Sequence, residues 1–358
     1  MLIRTYNLRF LTPAFLGNAE QSGQWRTPPI KALLRQWWRV AFAADQGGAI
    51  SAATVSAMRA AEGALFGVAA DKDSRKSQVR MRLGQWSIGT LKSWDRLEQA
   101  PIAHREVERT GYKVGPHAYL GFGPLDGRGG TRLSEKCNAA IQHNESCALA
   151  LAFPAGAEAA RLDTALWLMH HYGTLGGRSR NGWGSFSLTP ADHDTPATLG
   201  LLQEGLTTHW HDALKTDWPH AIGRDAQGPL IWQTEPHADW KTVMRRLAEI
   251  KIGLRTSFIF TTGKGAAQPE ARHWLSHPVT NHNVAAWKAS GEGEFRLPNS
   301  LRFKVRAERD GTLRGVIFHV PCLPPVKFKP DPVGITRVWQ QVHAFLDQPA
   351  QSLKRIPA

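Results

Sequence analysis

Residues 26–44, RTPPIKALLRQWWRVAFAA, permit one regular structure and dictate what must lie against it. Ile30, Leu33, Leu34, Trp37 and Ala41 recur at i, i+3, i+4, i+7 and i+11, the period of an amphipathic helix. Pro28-Pro29 suit its first turn, and Thr27 is the expected N-cap. A helix with this apolar stripe has to be covered. The strand-like run Leu2 to Leu11, closed by Thr12-Pro13, precedes it, with a polar loop from Gly17 to Gly23 between them.

The elements that follow keep the same alternation. A second helix is expected over Ala52 to Leu65, ending at Phe66-Gly67, and a strand with Arg80 and Arg82 over Ser77 to Ile88. The glycine-rich residues 115–130 read as a long flexible loop. Cys147 to Phe153 is a buried strand, Ala157 to Tyr172 a helix, Gly173 to Gly184 a glycine loop and Ser185 to Leu188 a closing strand. The order is β-α-β-β-α-β, the split pattern of ferredoxin-like, or RRM-like, domains.

Residues 189–229 lack periodicity and read as a connector. A second unit begins near Pro229, with a helix over Asp239 to Arg255. A hairpin follows, Leu301 to Arg306 and Leu313 to Val320 around Asp310-Gly311, and then a helix over Gly334 to Leu346. The expectation is an α+β chain of two tandem ferredoxin-like domains, residues 1–190 and 191–358.

Of 358 residues, 42% are hydrophobic and 21% charged, enough to bury a core, and the net charge of +14 favours a polyanionic partner. No apolar run approaches the roughly 18 residues of a membrane span. Arg4, Arg9 and Pro13 argue against a signal peptide. Cys137, Cys147 and Cys322 are odd in number and lack metal spacing, which points to a reducing cytoplasm.

Two segments carry the chemistry. Lys31, Arg35 and Arg39 fall at i, i+4 and i+8 on one flank of the first helix, and Ser22 to Ala44 contains no acid. Such a row repels itself unless an anion sits beside it; a phosphate backbone fits, and so does an acid elsewhere in the fold. Trp37 belongs to the core stripe, whereas Trp25 or Trp38 could stack on a base. The second segment, GTLGGRSRNGWGSF over residues 173–186, places Arg178 and Arg180 among five glycines, suiting phosphate or sugar contacts as well as a simple tight turn. Its spacing is neither a dinucleotide fingerprint nor a P-loop.

Together these segments resemble the RAMP superfamily of CRISPR-associated RNA-binding proteins. The resemblance rests on Thr12-Pro13 with Phe15-Leu16-Gly17, the Arg26 to Arg39 run, Leu65-Phe66-Gly67, the basic strand Val79 to Arg82, and Gly176 to Phe186. The Leu-Arg-x-Trp-Trp-Arg run and the segment Arg296 to Val305 are similar to the subunit family numbered one of the type III-B Cmr effector. Ala32 departs from the pattern, standing where many relatives have Gly. The resemblance implies a non-catalytic subunit, without cofactor, metal or small-molecule substrate. It would hold the 3′ part of the crRNA, contact the target RNA and adjoin other Cmr subunits. Residue by residue it carries over Arg26, Lys31, Arg35, Arg39, Arg178, Arg180 and Asn181 as RNA contacts.

Two rivals accompany this reading. Some RAMP relatives are metal-independent endoribonucleases that process guide precursors, for which His104, His117 and Tyr112 are candidates. His170-His171 precede the glycine loop, and at most one of the two can face it. A pure assembly subunit would have no RNA affinity of its own. A zinc site from His273, His277 and His282 is disfavoured by the missing acid and by Pro278.

Overall fold

The computed structural model describes the chain except residues 49, 70–73, 98, 109–112, 128–129, 197–201, 289–294 and 357–358. Tyr112 therefore lies outside the described residues. The architecture is mixed α+β with two four-stranded sheets and several smaller ones.

In the first half the order is β1 (Leu2–Phe10), α1 (Thr27–Asp45), α2 (Ala52–Phe66), β2 (Arg80–Leu83), α3 (Pro116–Gly121), β3 (Ser146–Phe153), α4 (Ala157–Tyr172) and β4 (Phe186–Pro190). These strands lie in the order β2-β3-β1-β4, antiparallel throughout. The register runs Leu2 to Phe153 and Phe10 to Phe186, placing Tyr6, Leu8 and Phe10 together on the buried face.

The second half holds β5 (Ile231–Gln233), α5 (Trp240–Ser257), β6 (Leu301–Ala307), β7 (Leu313–His319), α6 (Pro332–Leu346) and β8 (Lys354–Arg355). Its sheet runs β6-β7-β5-β8, again antiparallel. In each sheet, therefore, the second strand leads, followed by the third, the first and the fourth. The cores are not confined to one half. One cluster joins Trp37 and Tyr172 to Val316 and Phe318, and the other joins Phe15 and Trp183 to Met244 and Phe303.

Three local expectations change. Arg26, not Thr27, is the N-cap of α1, and its side chain makes no capping bond. Pro28 and Pro29 occupy the positions whose N–H groups a cap would satisfy, so none is needed. The described residues of 115–130 are not a long flexible loop. They hold α3, started by Pro116, and the strand Leu125–Asp126 paired with Arg132–Leu133. His117 anchors α3, stacking on Trp240 with ring centroids 5.2 Å apart. The connector has structure too: Thr207–His209, Ile222–Asp225 and Gly228–Pro229 form a three-stranded sheet.

Candidate nucleic-acid interface

Helix α1 presents Lys31, Arg35 and Arg39, but the row is not left uncompensated. Glu62 of α2, 3% exposed, accepts from Arg35 Nε at 2.7 Å and from Arg39 Nη2 at 2.7 Å and Nε at 3.0 Å. Burial alone would raise its pKa; the two guanidinium partners outweigh that and hold it below the usual carboxylate range. The anion beside the row thus comes from the fold, 23 residues beyond Arg39 in sequence. Both arginines keep solvent-facing surface, 38% for Arg35 and 26% for Arg39. Lys31 donates to Ser77 Oγ at 2.7 Å, and burial together with Arg35 lowers its pKa. Arg26 donates to the Gly17 carbonyl at 2.9 Å.

Neither Trp25 nor Trp38 is free to stack on a base. Trp25 and Trp38 are fully buried, their indole N–H groups donating to Glu145 at 3.0 Å and Glu158 at 2.9 Å. Trp37 is buried against Tyr172 and Phe318.

The glycines of the 173–186 loop serve the protein's own packing. A Cβ on Gly184, at φ +65°, would lie 1.8 Å from the Leu175 carbonyl oxygen; one on Gly176 would lie 2.7 Å from that of Phe15. The loop is also bound to β6. Phe303 N–H donates to the Arg180 carbonyl at 2.9 Å, and Val305 N–H to Ser185 Oγ at 2.8 Å. Lys304 is wholly buried and directs its ammonium at four carbonyl oxygens, those of Met169, His170, Gly173 and Phe186, at 2.5–3.1 Å. Three of the four lie at or just beyond the end of α4, where the helix dipole favours a cation.

These contacts divide the loop residues. Asn181 is spent structurally: it donates to the Leu120 carbonyl at 2.7 Å and accepts from Lys251. Arg178, at φ +55°, is exposed. Arg180 is half-buried, its guanidinium donating one hydrogen bond, 3.3 Å to the Asn299 carbonyl. Arg180 and Arg39 line one cleft of about 190 Å³ together with Gln36, Trp37, Val40, Pro219, Arg302 and Val320. Burial, and then the neighbouring Arg180 charge, lower the pKa of Arg302. The structure therefore joins Arg39 to Arg180. Lys31 lies toward Ser77, and Arg26 and Arg178 sit elsewhere.

Arg302 and Lys304 did not emerge from the sequence as site residues. Their signal was there: Arg302, Lys304 and Arg306 alternate with Leu301, Phe303 and Val305, so one strand face is basic and the other apolar. The histidine candidates lie inside the fold. His104 is 5% exposed and His117 0%, with His117 Nε2 3.2 Å from the Lys241 carbonyl oxygen. His170 Nδ1 accepts from Leu188 N–H at 3.0 Å, and His171 packs on Trp167. His273 faces the Glu270 N–H at 3.0 Å and the His282 carbonyl at 3.2 Å, leaving neither ring nitrogen free. Among the described residues no helix is long and apolar enough to cross a membrane, and the three cysteines are unpaired.

A family model, that of the RAMP superfamily, matches residues 7–187. Among solved structures the chain is similar to Cmr1 from Pyrococcus furiosus in its apo form, at 17% identity and a TM-score of 0.46, covering 97% of this chain and 98% of that one. It is also similar to a chain of the type III-B Cmr-beta complex bound to cognate target RNA, at 12% identity and TM-score 0.49, covering 95% and 99%. A chain of Cmr-beta bound to cognate target RNA and AMPPnP in the presence of single-stranded DNA gives 13% identity and TM-score 0.47, covering 96% and 99%. No curated protein sequence matches this chain.

Proposed function

This chain belongs to the RAMP superfamily, and from that premise we propose that it is a non-catalytic RNA-binding subunit of a type III-B CRISPR (Cmr) antiviral effector complex in the cytoplasm. It holds the 3′ part of the crRNA and contacts the target RNA beside other Cmr subunits. Two tandem ferredoxin-like domains, residues 1–190 and 191–358, are part of the same reading, and the shared strand order of the two sheets supports them.

One observation carries the proposal. Arg39 of the basic helix and Arg180 of the glycine loop open onto one cleft whose lining residues include no carboxylate. Arg35 extends this basic surface along α1, while Lys31, Arg26 and Arg178 add contacts outside it. Asn181 acts by holding the loop. Backbone contacts of this kind accept any sequence, as a guide-holding subunit requires, because specificity resides in guide–target pairing. The burial of His104 and His117 speaks against a processing ribonuclease built on them.

The test is fluorescence anisotropy of an unstructured RNA across a salt series. Wild type should show a steep log–log slope, and a Lys31/Arg35/Arg39 triple alanine variant should lose about 2 from it, at roughly 0.7 per neutralised phosphate. Cleaved RNA on a denaturing gel, or no binding at low salt, would overturn the proposal.

A further inference from the structure

The cleft between α1 and β6 contains donors without acceptors. Arg302 Nε is buried with no hydrogen-bond partner, and so is the indole Nε1 of Trp37, a residue 1% exposed; both residues line the cleft. Arg180 and Arg39 line it too, and Gln36 stands exposed at its rim. Among these, Arg39 alone has a carboxylate partner, Glu62. Leaving donors buried and unpaired is costly, and holding guanidinium groups together without a counterion adds repulsion. The group that removes both costs accepts hydrogen bonds only, carries negative charge and offers several oxygens in different directions. A phosphate has that chemistry, and arginine forks match it.

We propose that Arg180, Arg302 and Arg39, with Trp37 and Gln36, form a phosphate-binding pocket built jointly by the two halves of the chain. Its occupant is a backbone phosphodiester of the bound RNA, and this choice of source rests on the subunit reading above. The pocket exists only when β6 is docked against α1 and the glycine loop, so the second half supplies a binding residue, not support alone. Arg302 also lies over Trp37, its guanidinium carbon 5.9 Å from the ring centroid, which gives its position a second restraint.

The test uses the full chain and two probes. With inorganic phosphate, the melting temperature of wild type should rise above that in sodium chloride or acetate of equal ionic strength. Arg302→Met should lose this rise while melting no lower than wild type in salt alone, since it deletes a charge with no counterion. Gln36→Glu, an exposed change that leaves the core untouched, should also weaken the effect by placing a carboxylate at the rim. With unstructured RNA, Arg302→Met should bind about tenfold more weakly or worse, and its salt slope should fall by about 0.7.

Equal protection by acetate, or unchanged phosphate protection in both variants, would overturn the pocket. RNA binding undiminished in Arg302→Met, with the triple alanine variant still deficient, would overturn it as an RNA site and leave the subunit reading intact. Phosphate protection lost in Arg302→Met while neither protein binds RNA would keep the pocket, assign it to a free phosphate-bearing molecule and remove the subunit reading.

Discussion

Glu62 shows how one side chain sets the terms for several others. Buried at 3% exposure, it is the shared acceptor for Arg35 and Arg39. Its depressed pKa means that its stabilisation is present in full above the unfolded value near 4.5 and is lost as pH falls through the lower folded value. Glu62→Gln removes the charge and keeps the shape. It should cost about 2 kcal/mol, read as a lower melting temperature at pH 7. The same change releases both guanidinium groups, so RNA binding should become tighter at low salt and more salt-dependent. Weaker binding in a folded Glu62→Gln protein would mean that the acid positions the arginines and does not merely compete with RNA for them. None of this pairing was readable locally. From Ser22 to Ala44 there is no acid, and the counterion arrives only because α2 folds back beside α1.

At the scale of elements, the informative contact is strand β6 against the glycine loop. Lys304 replaces four carbonyl–water hydrogen bonds with one buried ammonium, and Gly184 lets the loop close where any side chain would strike Leu175. Lys304→Met removes the buried ammonium shared by those carbonyls, of which that of Met169 also accepts from Gly173 N–H at 2.9 Å, and should cost about 3 kcal/mol or more. Gly184→Ala combines strain at φ +65° with a backbone clash and should cost at least as much. Chemical denaturation of both variants checks this; a loss under about 1 kcal/mol would show that the loop is not held as described. The elements themselves were largely legible. The period of Ile30, Leu33, Leu34 and Trp37 marked α1, Asp310-Gly311 marked the β6–β7 hairpin, and Pro116 to Gly121 was obscured by the glycines around it. The docking was not legible, because a lysine in a strand looks the same whether it meets water or four carbonyls.

Seven of the fifteen histidines of the whole molecule are buried. Burial holds His170 and His343 down to about 3, His343 near the buried His319 with 3.0 Å between ring nitrogens. In the unfolded chain these groups protonate near 6.5. The unfolded state therefore binds more protons between pH 6.5 and 3, and stability falls as pH falls through that window. Thermal melts at pH 7.5, 5.5 and 4.5 should show a progressive drop, reduced in a conservative His343→Gln variant. A flat profile would mean that these rings are protonated in the folded protein. Sequence patterns divide the chain near residue 190, and each core cluster draws side chains from both sides of that point. A stripe of apolar residues records that a face is covered but not which segment covers it, and Trp37 meets Phe318 from 281 positions away.

The four carbonyls around Lys304 also bear on how such a chain can change over time. A strand order that occurs twice invites the view of two interchangeable modules, each free to be swapped or to drift alone. Here the lysine is encoded in one half of the chain and its acceptors, all main-chain carbonyls, in the other. Any sequence that keeps the same loop path supplies these main-chain carbonyls, so the dependence runs one way: they need a lysine at this strand position. A hybrid of two relatives joined at the connector would keep this contact only if its second half brought a lysine to this position.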